Sequence, residues 1–305
     1  MSYFKTGTGR RVLVTGSAGF AAPGIIKELL EAGYWVTTSD RELDPNSPGR
    51  HIVADLCNFG EVTELVEGFD TIVHLAATRM AGVRPASATF ENNMISTYNI
   101  FRAASMMGVR RVIWASSCGI MGSPMGDISE TGWASGVLRP EARAVPTKLP
   151  YVEEDDPRPM TTYHTSKVMC EWLAKQTQLW GTDTTFVSLR YGNMCYPEMY
   201  EEFRYSWAHP EARFYHLWNY VDMRDAAQAC RLAIEADIKG AQEYFITAED
   251  TFMNVPSRDL VKQYFPGATV NNELAEYGTL LSIDKARREL GYAPKYSWRN
   301  VMELD

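Results

Sequence analysis

Tyr163 and Lys167 stand four residues apart in YHTSKVMCEWLAKQ, a stretch whose apolar positions recur with helical periodicity. That spacing is about one turn of helix, so a phenol and an ammonium share one face. A neighbouring ammonium favours the phenolate and is expected to lower the tyrosine pKa toward working pH. A phenol so tuned can take a proton from a substrate hydroxyl while a cofactor takes a hydride from the same carbon. YxxxK arises by chance on many surface helices, so the pair needs a third element. Ser117 supplies it at the end of the strand-like run RVIWAS, where an open α/β sheet presents ligand-binding groups at its carboxyl edge. Its hydroxyl can hold the substrate oxygen and the tyrosine together; the plain alternative is a turn serine.

A hydride acceptor has its own signature near the start of the chain. The apolar run RVLVT leads straight into Gly16-Ser17-Ala18-Gly19-Phe20-Ala21-Ala22. Glycine permits a tight turn and lets backbone N–H groups approach a pyrophosphate at the following helix N-terminus, while Ala22 is small enough for close helix–strand packing. Such a turn alone is weak evidence; its place between a first strand and a first helix strengthens it. Asp40 ends the second strand-like run, where a carboxylate accepts from both adenosine ribose hydroxyls and repels a 2′-phosphate. No basic residue stands at Ser17 or Ala18, so NAD is expected rather than NADP, although Arg41 adjoins the acid.

Positioning these groups requires a particular scaffold. Strand-like runs at Val12–Thr15, Trp35–Ser39, His51–Ala54, Thr71–Leu75, Val112–Ala115 and Thr185–Leu189 alternate with helical periodicity over Pro23–Ala32, Val62–Glu67, Ser87–Met107 and Tyr163–Leu179. Strands joined by helical crossovers predict a parallel, doubly wound α/β sheet, and the near-continuous apolar runs fit burial on both faces. Two stretches break the rhythm. Residues 122–162 form a long connection rich in Gly, Pro, Ser and charge, a candidate lid over the site. The segment 196–220 is crowded with aromatics, of which Trp207 and Trp218 are candidate platforms for a sugar face.

Composition narrows the function classes. The chain has 305 residues, 45% hydrophobic and 22% charged, with a formal net charge of −8, so there is no basic footprint for nucleic acid. Five cysteines without CxxC spacing suggest reduced thiols, and five histidines without HxxxH or HExxH spacing offer no metal site. No apolar run reaches membrane-spanning length. The expectation is a cytoplasmic protein with a small-molecule substrate, bound neither to nucleic acid nor to a membrane.

With these residues in hand, the chain resembles the extended short-chain dehydrogenase/reductases, the family of sugar epimerases, dehydratases and sugar dehydrogenases. TGSAGFAA is similar to the family's TGxxGxxG/A turn, Asp55-Leu56 to its adenine-contacting pair, and VHLAA, with Leu75, Ala76 and Ala77, to the strand beside the cofactor. Asn93 resembles an asparagine of the helix beneath the nicotinamide, ASSCGIMG places Ser117 at the catalytic serine, and SLRYGNMCYP resembles the segment crossing into the substrate lobe. The resemblance implies a Rossmann domain over 1–190 with 220–250 returning to it, and a smaller C-terminal substrate lobe from 191–219 and 251–305. It implies Ser117, Tyr163 and Lys167 as catalytic residues. It implies NAD contacts at Gly16, Ala18, Gly19, Phe20, Asp40 and Arg41, then Asp55, Leu56, Asn93 and Tyr191. Substrate contacts are expected from Thr78, Arg79, Cys118 and Asn193, with Arg204 and Trp207 from the lobe. Relatives commonly form homodimers through two helices per subunit, here Ser87–Met107 and Tyr163–Leu179.

Departures from the family pattern bear on the substrate. The 4,6-dehydratases carry Asp-Glu after the catalytic residue, whereas Cys118 and Gly119 follow Ser117, so dehydration is disfavoured. Only Glu198 to Asn219 separates Pro197 from Tyr220, a short lobe segment more like that of uronate dehydrogenases than of nucleotide-sugar epimerases. Arg79, Arg84 and Arg204 are candidates to grip a carboxylate bidentately. The leading expectation is a dehydrogenase of a free sugar, sugar acid or polyol. The alternatives are a nucleotide-sugar 4-epimerase that keeps its NAD and a non-catalytic dinucleotide sensor.

Overall fold

The computed structural model describes residues 10–79, 84–122 and 145–302. The lid expected over the connection falls largely on 123–144, outside the described residues. In chain order the elements are β1 (Arg11–Thr15), α1 (Ala22–Glu31), β2 (Trp35–Asp40), β3 (His51–Val53), α2 (Phe59–Val66), β4 (Thr71–His74), α3 (Ala86–Met106) and β5 (Arg111–Ser117). Then follow β6 (Lys148–Leu149), α4 (Thr162–Leu179), β7 (Thr185–Tyr191), β8 (Met194–Cys195), α5 (Phe203–Ala208), β9 (Val221–Asp222), α6 (Met223–Glu235), β10 (Ala241–Ile246), α7 (Ser257–Tyr264), β11 (Thr269–Val270) and α8 (Asp284–Leu290).

Seven strands form one parallel sheet in the order β10-β7-β5-β4-β1-β2-β3. The order reverses beside β1, leaving a crevice at the carboxyl ends of β1 and β4, where open α/β sheets bind their ligands. Six strands lie where the apolar runs predict them. The seventh, β10, has the sequence AQEYFI, whose polar first half masks the signal; its last four residues are buried.

Two apolar layers sandwich the sheet. On one face α1, α6 and α8 pack over Val14, Val187 and Ile246; on the other α2, α3 and α4 cover Leu13, Ile72 and Phe186. A third cluster gathers Met121, Tyr200, Trp218, Phe252 and Trp298 into the lobe. The segment Ile283–Tyr292, expected in that lobe, instead packs with the first layer: Ile283, Ala286 and Leu290 face α6 and β10 at helical spacing. The five cysteines are free thiols. Among the described residues no helix is long and apolar enough to cross a membrane, and no cluster of His, Cys, Asp or Glu suits a metal ion.

Candidate active site

The turn after β1 is shaped by Gly16, which sits at φ +73°, where a Cβ would come within 2.5 Å of the backbone nitrogen of Ala76. Only glycine allows both the left-handed backbone and this approach of the turn to the end of β4. Asp40, ending β2, binds across the turn: its Oδ2 accepts from the Ala18 N–H at 3.1 Å and its Oδ1 from the Arg41 N–H at 2.7 Å. A cavity of about 120 Å³ opens here, lined by Gly16, Gly19, Asp40, Arg41, Asp55 and Leu56. Leu75, Ala76 and Ala77 also lie in its wall. Neighbouring bonds stiffen that rim: Asp55 Oδ1 accepts from the Cys57 N–H at 3.0 Å, and the Leu56 carbonyl accepts from Asn99 Nδ2 at 2.9 Å.

A larger cavity of about 600 Å³ shares Gly16, Gly19, Leu75 and Ala77 with the first and reaches from Phe20 to Ser117, Tyr163 and Lys167. The two spaces run on past the glycine turn as one trough at the sheet's carboxyl edge. Cys118, Tyr191, Asn193 and Arg79 lie in the wall of the larger space. The structure thus brings together residues from β1, β2, β4, β5, α4 and β7 that span most of the chain.

Ser117 closes β5 and caps a short 3₁₀ turn, its Oγ accepting from the Gly119 N–H at 3.1 Å. The hydroxyl keeps its own proton to offer an oxygen in the cavity. Lys167 Nζ donates to the Ala115 carbonyl at 2.6 Å and lies 5.4 Å from the centre of the Tyr163 ring. Tyr163 and Lys167 therefore share one turn of α4 against the end of β5. The expected electrostatics do not hold in the protein alone. Burial pushes the Tyr163 phenol up to about 12, with the Arg79 guanidinium pulling it back. Burial also pushes Lys167 down to about 8, opposed by Cys170 and Glu171. Desolvation is the largest cause of both shifts.

Other expected residues serve differently. Asn93 lines neither cavity: its Oδ1 accepts from the Thr78 N–H at 2.8 Å, while its Nδ2 donates to the Thr78 carbonyl and to Ser166 Oγ, both at 3.2 Å. It is a clamp between the chain after β4 and α4, and it takes buried Thr78 out of the cavity with it. Trp207 and Trp218 are not platforms. Their indole N–H groups donate to the Phe252 and Pro210 carbonyls at 2.7 and 2.9 Å, and Trp218 is fully buried. A buried indole must satisfy its N–H inside the protein, which turns these rings into the lobe. Arg204 pairs with Glu201 at 2.9 Å and lies over Trp207, away from the cavities, and Arg84 lines neither. The wall includes residues not singled out from sequence: His164, Arg213, His216 and Asn219. The first was legible from its place beside Tyr163; the others had no spacing signal.

A family model described as NAD dependent epimerase/dehydratase family matches residues 12–246. A UDP-glucose 4-epimerase of Oryza sativa subsp. japonica is 24% identical over 209 residues, 62% of this chain and 50% of the relative. A 3 beta-hydroxysteroid dehydrogenase/Delta 5-->4-isomerase of Mycobacterium tuberculosis is 34% identical over 116 residues, 35% of this chain and 31% of its own. The chain thus spans about half the length, or less, of these relatives. Among solved structures, the uronate dehydrogenase from Agrobacterium tumefaciens superposes with a TM-score of 0.66 at 19% identity, covering 95% of this chain and 86% of that one. A short-chain dehydrogenase/reductase superfamily protein from the same organism, with bound NAD, gives a TM-score of 0.69 at 18% identity, covering 95% and 94%. The trough fits the cofactor in the family's name, with a glycine turn that a Cβ would fill and a carboxylate at the end of β2. The chain belongs to the NAD dependent epimerase/dehydratase family, on a doubly wound Rossmann sheet.

Proposed function

We propose that this protein is an NAD-dependent dehydrogenase that oxidises an alcohol carbon of a small, free, anionic sugar or polyol, a sugar acid being the fitting class. One observation carries the anionic part of the reading. Among the described residues, the larger cavity is lined by Arg79, Lys167, Arg213 and two histidines and by no carboxylate, in a chain of net charge −8. A cationic cavity on an acidic protein concentrates anions. The small size is supported by volume: about 600 Å³ must take the reactive half of the cofactor as well as the substrate.

The chain's residues then divide the work. Asp40, Gly16 and Gly19 hold the adenosine and pyrophosphate parts, with Asp55 and Leu56 at the base. NAD, when bound, supplies the hydride acceptor and a positive ring. Ser117 donates to the substrate oxygen and holds it against Tyr163, which removes the hydroxyl proton. Lys167 keeps a positive charge beneath the phenol and steadies the phenolate. Asn93 fixes α4 against the chain after β4, so that these groups keep their spacing. The exposed apolar stripes Ile95, Tyr98, Met106 on α3 and Met169, Trp172, Leu179 on α4 suit a second copy of this chain. The free thiols suit a cytoplasmic location.

The test is a screen of free aldoses, free uronates and sugar nucleotides with NAD and NADP, followed at 340 nm. Net NADH formation with free uronates is expected. Interconversion of a sugar nucleotide without net NADH would instead establish the epimerase reading, which the plant epimerase relatives favour.

A further inference from the structure

The strand that delivers Ser117 also carries Trp114. In the parallel register Trp114 stands opposite His74 of β4 and Ser188 of β7. Side chains alternate along a strand, so it shares with Val112 and Ser116 the face covered by α3 and α4. It is 1% exposed, and Phe101 of α3 meets its ring edge to face, with centres 5.9 Å apart. Its indole N–H is anomalous. Among the described residues that N–H finds no acceptor, although a buried indole ordinarily has one. A phenylalanine would fill much of the same space and strand no donor, so packing alone does not favour tryptophan here.

Tryptophan adds the strongest π face of the aromatic side chains, and that face meets the reaction centre. Lys167 Nζ lies over the Trp114 ring, 5.6 Å from its centre, and over the Tyr163 ring at 5.4 Å. The Ala115 carbonyl, at 2.6 Å, takes one of the three ammonium hydrogens. Other groups act on this charge from the neighbouring elements. On α4, Cys170 and Glu171 favour it, and Glu171 is itself engaged with Ser116, Ser188 and Arg190. On β4, burial and then the Lys167 charge push His74 down to about 3, so that ring is neutral. Arg79 acts on the phenol. Lys167 is buried, and a cation taken out of water is the setting in which a ring face counts most.

We propose that Trp114 is a positioning residue of the reaction centre, whose π face holds the Lys167 ammonium in place and charged where it steadies the Tyr163 phenolate. The inference rests on Ser117, Tyr163 and Lys167 being that centre, and it holds whether the substrate is a free acid or a sugar nucleotide. It accounts for the stranded indole N–H: the site uses the electron-rich ring, and the donor is left over.

The experiment replaces the tryptophan at position 114 with mono-, di- and trifluorinated tryptophans, which keep the ring's shape and drain its π density. Trp114→Leu removes the ring outright. The pH dependence of kcat/KM is measured with whichever free uronate or sugar nucleotide the wild type turns over. The rising limb should move upward stepwise with each fluorine, and by about half to one pH unit in Trp114→Leu. Below the limb that is about a three- to tenfold loss of kcat/KM. In a Lys167→Met background the same changes should leave the limb where Lys167→Met alone puts it. Without substrate, denaturant titrations should show the Lys167-linked rise of stability with pH setting in below about 8 in the fluorinated proteins. A limb indifferent to fluorination, with Trp114→Leu lowering only the Tm, would make Trp114 a packing residue and overturn the proposal. An equal shift in the absence of Lys167 would overturn it as well. Tyr163→Phe run alongside should abolish turnover; if it does not, the reaction centre is wrong, while the titrations still report on the ring and the ammonium.

Discussion

Glu171 lies one turn beyond Lys167 on α4, and its replacement by alanine should damage both stability and catalysis. Its side chain is 5% exposed and its partner Arg190 only 3%. Oε1 accepts from Ser116 Oγ at 2.8 Å, from Ser188 Oγ at 2.9 Å and from Arg190 Nε at 3.0 Å, and Oε2 accepts from Arg190 Nη2 at 2.9 Å. One carboxylate thus ties α4 to the ends of β5 and β7. Glu171→Ala leaves the buried guanidinium, among the described residues, with one hydrogen bond, to the Glu153 carbonyl at 3.1 Å, and its place over the Phe245 ring. An uncompensated buried charge costs about 3–5 kcal/mol. Unfolding entropy of about 2.1 cal/mol/K per residue comes to about 0.6 kcal/mol/K for this length, so Tm should fall by about 5–8 °C. Differential scanning calorimetry at pH 7 measures this directly. Pairing Glu171→Met with Arg190→Met should recover much of the loss, because the orphaned charge goes too. Ser116 adjoins Ser117, so kcat should fall in the single variant even at temperatures where it is folded. A single variant melting within about 1 °C of wild type would refute the reasoning, as would a double variant worse than either single one.

Other outcomes follow from the same geometry. Gly16→Ala should weaken NAD binding at least about tenfold by calorimetry, because its Cβ meets the Ala76 backbone and its φ is strained; unchanged affinity would place the dinucleotide elsewhere. Asp40→Ala removes a charged acceptor worth about 1.5–3 kcal/mol, so the NAD Kd should rise about tenfold or more while that of NADP rises less or falls. Burial holds the Tyr163 phenol near 12 in the protein alone, so alcohol oxidation should speed up with pH, on a limb well below that value once NAD is bound, and Lys167→Met should move the limb upward. Lys167 itself sits at about 8, below the 10.5 of free lysine. Between those values the unfolded state holds more protons, so this residue makes stability rise with pH there, and Lys167→Met should flatten that rise in denaturant titrations. Trp172→Glu on the exposed face of α4 should shift a dimer to monomer in analytical ultracentrifugation while leaving the fold's circular dichroism unchanged.

Much of the site was written locally. Helical periodicity alone puts Tyr163 and Lys167 on one face, while the glycine turn and Asp40 are marked by residue type at the ends of strand-like runs. The alternation of apolar runs and helical stretches likewise dictated a parallel sheet, because strands buried on both faces must be nearly all apolar. The tertiary structure decided the rest, since burial and long-range partners have no local signal. Trp207 is turned away from the cavity by a carbonyl at Phe252, and Asn93 is claimed by Thr78 and Ser166. Arg213 and His216 enter the wall only because the lobe folds back over the carboxyl edge of the sheet. The direction of the Tyr163 shift belongs here too: spacing sets which charge is near, but only the surrounding packing sets how much water the phenol has lost.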